Sequence, residues 1–261
     1  MKPCIIKQPA GVGDVFFLQK IAHVYRDSGH EIIWPLRDHI FWISEYIPDI
    51  TWYKLSEWMM DSRSQIFNYA GFANFTVPNE ELVYIDCSTA DRTFNTDPTR
   101  IMSSKFGLVG MDHKDWGNYF KFDRKKDKED KLYYDVLGLK DDSEYSYVND
   151  IVHTDIRETG RLSSKEYDYP VVKNQIVDGF TLFDWTKVLE NAKEIHTIPT
   201  AVCFIVDVID TKAKVFYYPN DEATIKYNDT DLNINWGIHE NDVIISDKDN
   251  AGIAFKDAHL F

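Results

Sequence analysis

The sequence predicts an α/β fold in two halves, and three observations carry the prediction. A strand, a tight glycine turn, a helix and a second strand follow one another within the first 34 residues. Strand-like and helix-like segments keep alternating through the rest of the chain. A run of charge from Asp123 to Lys131, with no core residue evident, interrupts the alternation near the middle. Alternation of this kind builds parallel sheets covered by helices, since parallel strands need a crossover between them.

Cys4-Ile5-Ile6 reads as a short buried strand, and Pro9-Ala10-Gly11-Val12-Gly13-Asp14 as a turn. Val15, Leu18, Ile21, Ala22 and Tyr25 then follow one helical face. Gly29 ends that helix, and Glu31–Trp34 is the second strand of a βαβ unit. This is a compact, Rossmann-like start. Phe41–Ile47 is expected as a helix, Thr51–Leu55 as a strand, Leu82–Asp86 as an apolar strand ending in an acid, and Thr99–Gly107 as a helix. The charged run reads as a solvated linker or helix start and as the domain boundary, giving an N-terminal domain over 1–125 and a C-terminal one over 126–261.

In the second half Tyr145–Val152 reads as a strand, and Tyr169–Val172 as another in which Pro170 disturbs the ladder. Phe183–Ala192 reads as a helix, Glu194–Ile198 as a strand, Pro199–Ile209 as a helix with proline near its first turn, and Lys214–Tyr218 as an aromatic strand. Val243-Ile244-Ile245 is a further apolar segment. Ligands of such sheets sit beyond the carboxyl ends of the strands, so the expected site is a cleft between two Rossmann-like domains that face each other.

Composition narrows the function. With 44% hydrophobic residues and few glycines or prolines, the chain has the apolar surface to fold. A net charge of −14 repels nucleic acid and anionic lipid, so neither is an expected partner. Cys4, Cys87 and Cys203 form neither a disulfide framework nor a zinc pattern, which fits a reducing, cytoplasmic setting. The apolar run at the N-terminus is too short for a signal peptide, and charges interrupt every candidate membrane span.

Five places carry chemistry. Gly11 and Gly13 stand where a strand meets a helix, letting the backbone turn sharply and a ligand approach the free N–H groups. A dinucleotide fingerprint fails there because the third glycine position holds Phe16. Asp14, in the first helical turn, reads either as an ionised base or as a helix cap. Pro199-Thr200-Ala201 opens the late helix with a small hydroxyl, an arrangement that suits a diphosphate and equally an ordinary cap. Asn149, at the end of the strand that opens the second half, reads as a cleft-facing contact or a structural turn residue. Asp229/Asp231 and Asp247/Asp249 are Asp-x-Asp pairs, and the second follows the apolar Val243-Ile244-Ile245; such a pair after a strand can hold a divalent ion on a nucleotide sugar. The histidines show no metal spacing, and His196, in an apolar strand, reads as a hydrogen-bonded core residue.

The segment Gly11-Val12-Gly13-Asp14-Val15-Phe16-Phe17-Leu18 resembles the G-x-G-D turn and apolar helix of the heptosyltransferase-like (family 9) glycosyltransferases of the GT-B fold. Glu81–Cys87 is similar to that family's acid-ended strand, and Leu189–His196 to its helix-to-strand approach to the donor diphosphate loop. Pro199-Thr200-Ala201-Val202 stands where the family has Asp-Ser-Gly-Pro, with only the small hydroxyl residue in common. The resemblance implies inverting transfer of a sugar from a nucleotide-diphosphate sugar to a hydroxyl of a carbohydrate acceptor, with no required cofactor or metal. It implies Asp14 as general base, Gly11 and Gly13 as the acceptor-side loop, and Asn149, Pro199, Thr200 and Ala201 as donor-binding residues. Two other functions fit the residues: a metal-dependent GT-A-type transferase using an Asp-x-Asp pair, and a non-catalytic nucleotide-binding or interaction protein.

Overall fold

The computed structural model describes residues 1–68, 75–76, 82–89, 101–152, 157–158, 162, 165–198, 200–218, 243–246 and 252–254. The chain divides into two compact units, Met1–Asp123 and Arg124–Phe261.

The first unit is built on β1 (Lys2–Lys7), α1 (Val12–Phe17), α2 (Gln19–Asp27), β2 (His30–Leu36), β3 (Thr51–Lys54), α3 (Leu55–Trp58), β4 (Phe75–Thr76), β5 (Val83–Asp86) and α4 (Ile101–Gly107). Its sheet runs β3-β2-β1-β5-β4, parallel except for β4, so the βαβ expectation holds. Cys4, Ile5 and Ile6 are buried on both faces of the central strand, as a strand covered by helices requires. The expected single helix after the turn is two, because Leu18 stands between α1 and α2. Gly29, at φ +87°, reverses the chain after α2 while its amide bonds the Arg26 carbonyl at 2.8 Å.

The expected α-helix at Phe41–Ile47 is instead a 3₁₀ helix over Asp38–Glu45. Ile40, Ile43 and Tyr46 are all buried, and a spacing of three lines up on a helix of three residues per turn. Aromatic rings fill much of this core: Phe16 stacks on Phe120 with centroids 4.7 Å apart, and Trp58 packs between Tyr53 and Phe67.

The second unit opens with α5 (Lys126–Asp130), which continues as a π-helical segment, Lys131–Val136. The charged run is therefore a helix start, and it is not wholly solvated. Glu129 is buried and takes the Arg124 guanidinium, which also binds Glu190 of a later helix. A buried carboxylate is kept by such bidentate pairing, which charge counting along the sequence does not see.

There follow β6 (Ser146–Asn149), β7 (Ile151–Val152), β8 (Arg157–Glu158), β9 (Val171–Lys173), α6 (Thr186–Asn191), β10 (Glu194–Thr197), α7 (Ala201–Val206), β11 (Lys214–Tyr217), β12 (Val243–Ser246) and β13 (Gly252–Ala254). The sheet order is β13-β12-β11-β10-β6-β9, parallel except for β13. The strand expected at Tyr145–Val152 breaks at Asp150, whose carboxylate accepts the Leu162 amide at 3.1 Å, and β7 leaves to pair with β8. Pro170 precedes β9, so its missing N–H falls outside the ladder, while its carbonyl accepts from Ser146. The late helix is shorter than expected and every residue of α7 is buried, so its apolar run carries no face.

Candidate functional site

In the first unit the strand order reverses between β1 and β5, the position where open parallel sheets take ligands. The residues gathered at the carboxyl ends of these two strands are the candidate site. Gly11 makes the turn at φ +81°, ψ +87°, and caps α1. A Cβ on Gly11 would lie 2.2 Å from Oδ2 of Asp14, so glycine is required both by the backbone angle and by the carboxylate beside it. Gly13 already belongs to α1 and takes no part in the turn itself.

Asp14 is the third residue of α1 and is a quarter exposed. Its Oδ1 accepts from Lys105 Nζ at 2.6 Å. Oδ2 has no protein partner among the described residues. The carboxylate is thus an ion-paired group with one open oxygen, and the described hydrogen bonds do not make it a helix cap. Lys105 comes from α4 and its side chain is only 5% exposed. Its ammonium also donates to Gln8 Oε1 at 2.9 Å, and the Gln8 amide in turn donates to the Ala10 carbonyl. The Gln8 carbonyl accepts from the Trp34 indole at 3.0 Å, so the residue at the root of the turn is fixed from the β2 side.

Beside this group Lys7, the last residue of β1, reaches Asp86, the last of β5, at 2.9 Å. The other Asp86 oxygen accepts from the Ser88 amide and hydroxyl at 3.1 and 2.6 Å. Cys87 follows in the chain. Burial pushes its thiol up to about 12, with the Asp86 and Asp14 charges adding and the Lys105 charge opposing. Cys4 is raised likewise to about 12 and Cys203 to about 11, mainly by burial, so no described cysteine is a thiolate nucleophile at neutral pH.

The second unit reverses its strand order at β6, whose end pairs with the end of β10. Asn149 lies there, fully buried. Its Nδ2 donates to Thr197 Oγ1 at 3.0 Å and to Thr200 Oγ1 at 2.8 Å, while its Oδ1 accepts from Asn174 at 2.8 Å. Thr200 caps α7 through its hydroxyl, which accepts from the Val202 amide at 3.3 Å, and Ala201 is the buried first residue of that helix. The structure therefore brings Asn149, Thr200 and Ala201 together, with the cap half of the Thr200 alternative seen directly. Pro199 lies outside the described residues, as do Glu81, Asp229, Asp231, Asp247 and Asp249. No group of three potential metal-ligating side chains occurs among the described residues.

His196 is the core histidine expected: Nδ1 meets the Tyr218 hydroxyl at 2.7 Å, Nε2 meets Glu194 Oε2 at 3.1 Å, and the ring stacks on Phe216 at 4.4 Å. No helix among the described residues is long and apolar enough to cross a membrane.

No family model and no curated protein matches the sequence. The solved structures similar to this chain include glycosyltransferases. One is a family 9 glycosyl transferase from Veillonella parvula, 10% identical, with 83% of this chain aligned on 80% of that one at a TM-score of 0.48. The iron-containing dodecameric glycosyltransferase TibC from enterotoxigenic E. coli is 10% identical, with 84% of this chain on 58% of that one at 0.44. E. coli heptosyltransferase WaaC with ADP is 11% identical, with 84% on 87% at 0.39. At these identities and TM-scores the likeness says nothing of what this chain does.

Lys105 and Gln8 were not among the residues expected to matter. A signal for Lys105 exists in the sequence. Met102, Lys105 and Phe106 lie on one helical face, and all three are buried. A lysine on an apolar face needs an anionic partner elsewhere in the fold. The sequence does not say that the partner is Asp14, 91 positions away. Gln8 has no comparable signal.

Proposed function

We propose that this chain is a glycosyltransferase that moves a sugar from a nucleotide-diphosphate donor to a hydroxyl of a carbohydrate acceptor, with inversion. The observation that carries the reading is the carboxylate of Asp14, open at Oδ2 and held at Oδ1, at the strand-order reversal of the first unit. Asp14 takes the proton of the acceptor hydroxyl as that oxygen attacks the anomeric carbon. Such a base contributes typically 10²–10⁴-fold. Gly11 and Gly13 form the acceptor-side loop. In the second unit Thr200 and Ala201, with Asn149 behind them and Pro199 before them, hold the diphosphate that leaves. The reading needs no metal or other cofactor, and it places the protein in the cytoplasm.

The resemblance of the Gly11–Leu18 segment supports this assignment, and so does its position: an oxygen with no hydrogen bond among the described residues lies at the strand-order reversal where open parallel sheets take ligands. The first experiment is a thermal-shift screen against nucleoside diphosphates and their sugars. A ligand present at a hundred times its Kd stabilises the fold by about 2.7 kcal/mol, and the base belongs to the reading only if one of them does so. With that donor, Asp14→Asn is expected to lose turnover by about 10²-fold or more while still binding it. Full activity in excess chelator is expected, and its loss would favour the Asp-x-Asp alternative. Wild-type turnover in Asp14→Asn removes the base assignment.

A further inference from the structure

We propose that Lys105 is the positioning residue of the Asp14 base, pinning Oδ1 so that Oδ2 is the atom that receives the acceptor proton; the proposal rests on the reading of Asp14 given above. Burying an ammonium costs free energy that its partners only offset, and buried ion pairs can often be replaced by apolar side chains without loss of stability. Met102 and Phe106 show that an apolar residue suits this face of α4. Stability alone therefore gives no reason for a lysine–aspartate pair here.

The geometry gives one. Lys105 Nζ is held by Gln8 Oε1 at 2.9 Å, and Gln8 is itself tied to the Ala10 carbonyl and the Trp34 indole. The ammonium is thus fixed to the same turn that carries Asp14. From there it takes one carboxylate oxygen at 2.6 Å and leaves the other over Gly11, where no Cβ obstructs it. In the transfer, the acceptor O–H bond breaks and its proton goes to Oδ2. The oxygen's electron pair forms the new bond to the anomeric carbon as the bond to the diphosphate oxygen breaks, and that electron pair leaves with the diphosphate. Lys105 holds Oδ1 and exchanges no proton with the substrate.

The test measures nucleoside diphosphate released from UDP-, ADP- and GDP-hexoses, to water or to added monosaccharides, by the wild-type chain, Asp14→Asn, Lys105→Ala and Lys105→Met. Lys105→Ala is expected to lose on the order of 10- to 100-fold in kcat with the donor KM unchanged, as befits a reacting group left loose by about 1 Å. Ethylammonium should restore part of that rate, and tetramethylammonium, which has no N–H, none. Lys105→Met refills the volume without a donor, so it should stay slow.

Wild-type kcat in either lysine variant overturns the proposal. So does recovery of kcat in Lys105→Met, which would assign packing, and so does a loss in Lys105→Ala that ethylammonium leaves unchanged. If Lys105→Ala does not fold, the kcat of Lys105→Met against its KM decides alone. Slow Asp14→Asn beside fast lysine variants removes this proposal only. Fast Asp14→Asn, or no release by the wild-type chain from any of these sugars, removes the functional reading together with it.

Discussion

Replacing Gly11 by alanine tests the site through a single methyl group. Two effects follow, and the structure separates them. The backbone sits at φ +81°, and holding a residue with a Cβ in the left-handed region costs about 1–2 kcal/mol. The new Cβ would also meet Asp14 Oδ2 at 2.2 Å, with Cγ at 3.1 Å. A free carboxylate would swing away at little cost. This one is held at Oδ1 by Lys105, so moving Oδ2 by about 1 Å stretches that bond and misplaces the reacting oxygen, which costs on the order of 10²-fold in rate. Gly29 supplies the control, because its φ is +87° and nothing lies within 4 Å of where its Cβ would be. Gly29→Ala should therefore lower the melting temperature by roughly 2–8 °C for a chain of this size, and Gly11→Ala by at least as much, since its Cβ also displaces the ion-paired carboxylate. Only Gly11→Ala should lose turnover, measured as nucleoside diphosphate release with the donor found by thermal shift. Equal turnover in the two variants would refute the placement of Oδ2 as the working atom.

Asn149→Ala should destabilise the second unit by about 1–3 kcal/mol, because Asn174 and the two threonine hydroxyls lose a buried partner; an unchanged urea midpoint would contradict that network. Burial lowers the pKa of His196 in the fold, with Glu194 opposing and Lys165 adding to the shift. The unfolded chain then binds the proton first, so the stability from this residue is complete above about pH 6.5 and falls as pH drops toward the folded value, by at most about 1.4 kcal/mol per pH unit. His196→Gln should flatten the urea midpoint between pH 7 and 5.5, and an identical slope in that variant would show that other groups set it. Arg124→Met should destabilise the second unit by about 3–5 kcal/mol, since it leaves Glu129 buried without its guanidinium; a change under 1 kcal/mol by urea denaturation would show that the pair contributes little.

Much of the frame follows from the residues alone. Cys4-Ile5-Ile6, the Gly11 turn, Gly29 and Glu31–Trp34 specify a βαβ unit because buried strands read as unbroken apolar runs and because reversals of the chain favour glycine. Asp14 stands out for the same local reason, a carboxylate in the first turn of a helix that follows a strand. Local pattern also has limits here. Phe41–Ile47 fits an α-helix, yet the chain folds as 3₁₀ over Asp38–Glu45, with buried Ile40, Ile43 and Tyr46 recurring at the three-residue spacing of the tighter turn. Glu129 counts as one more charge in a charged run until Arg124 and Glu190 converge on that cluster.

The chemistry of the candidate site lies beyond local pattern altogether. Which oxygen of Asp14 stays open, and which lysine holds the other, depends on α4 bringing Lys105 back across 91 positions to Gln8 and the glycine turn. Periodicity reports how a side chain faces its own element. An ion pair between elements is settled only when packing chooses its neighbours, and there the desolvation of a buried ammonium makes the choice of partner strict.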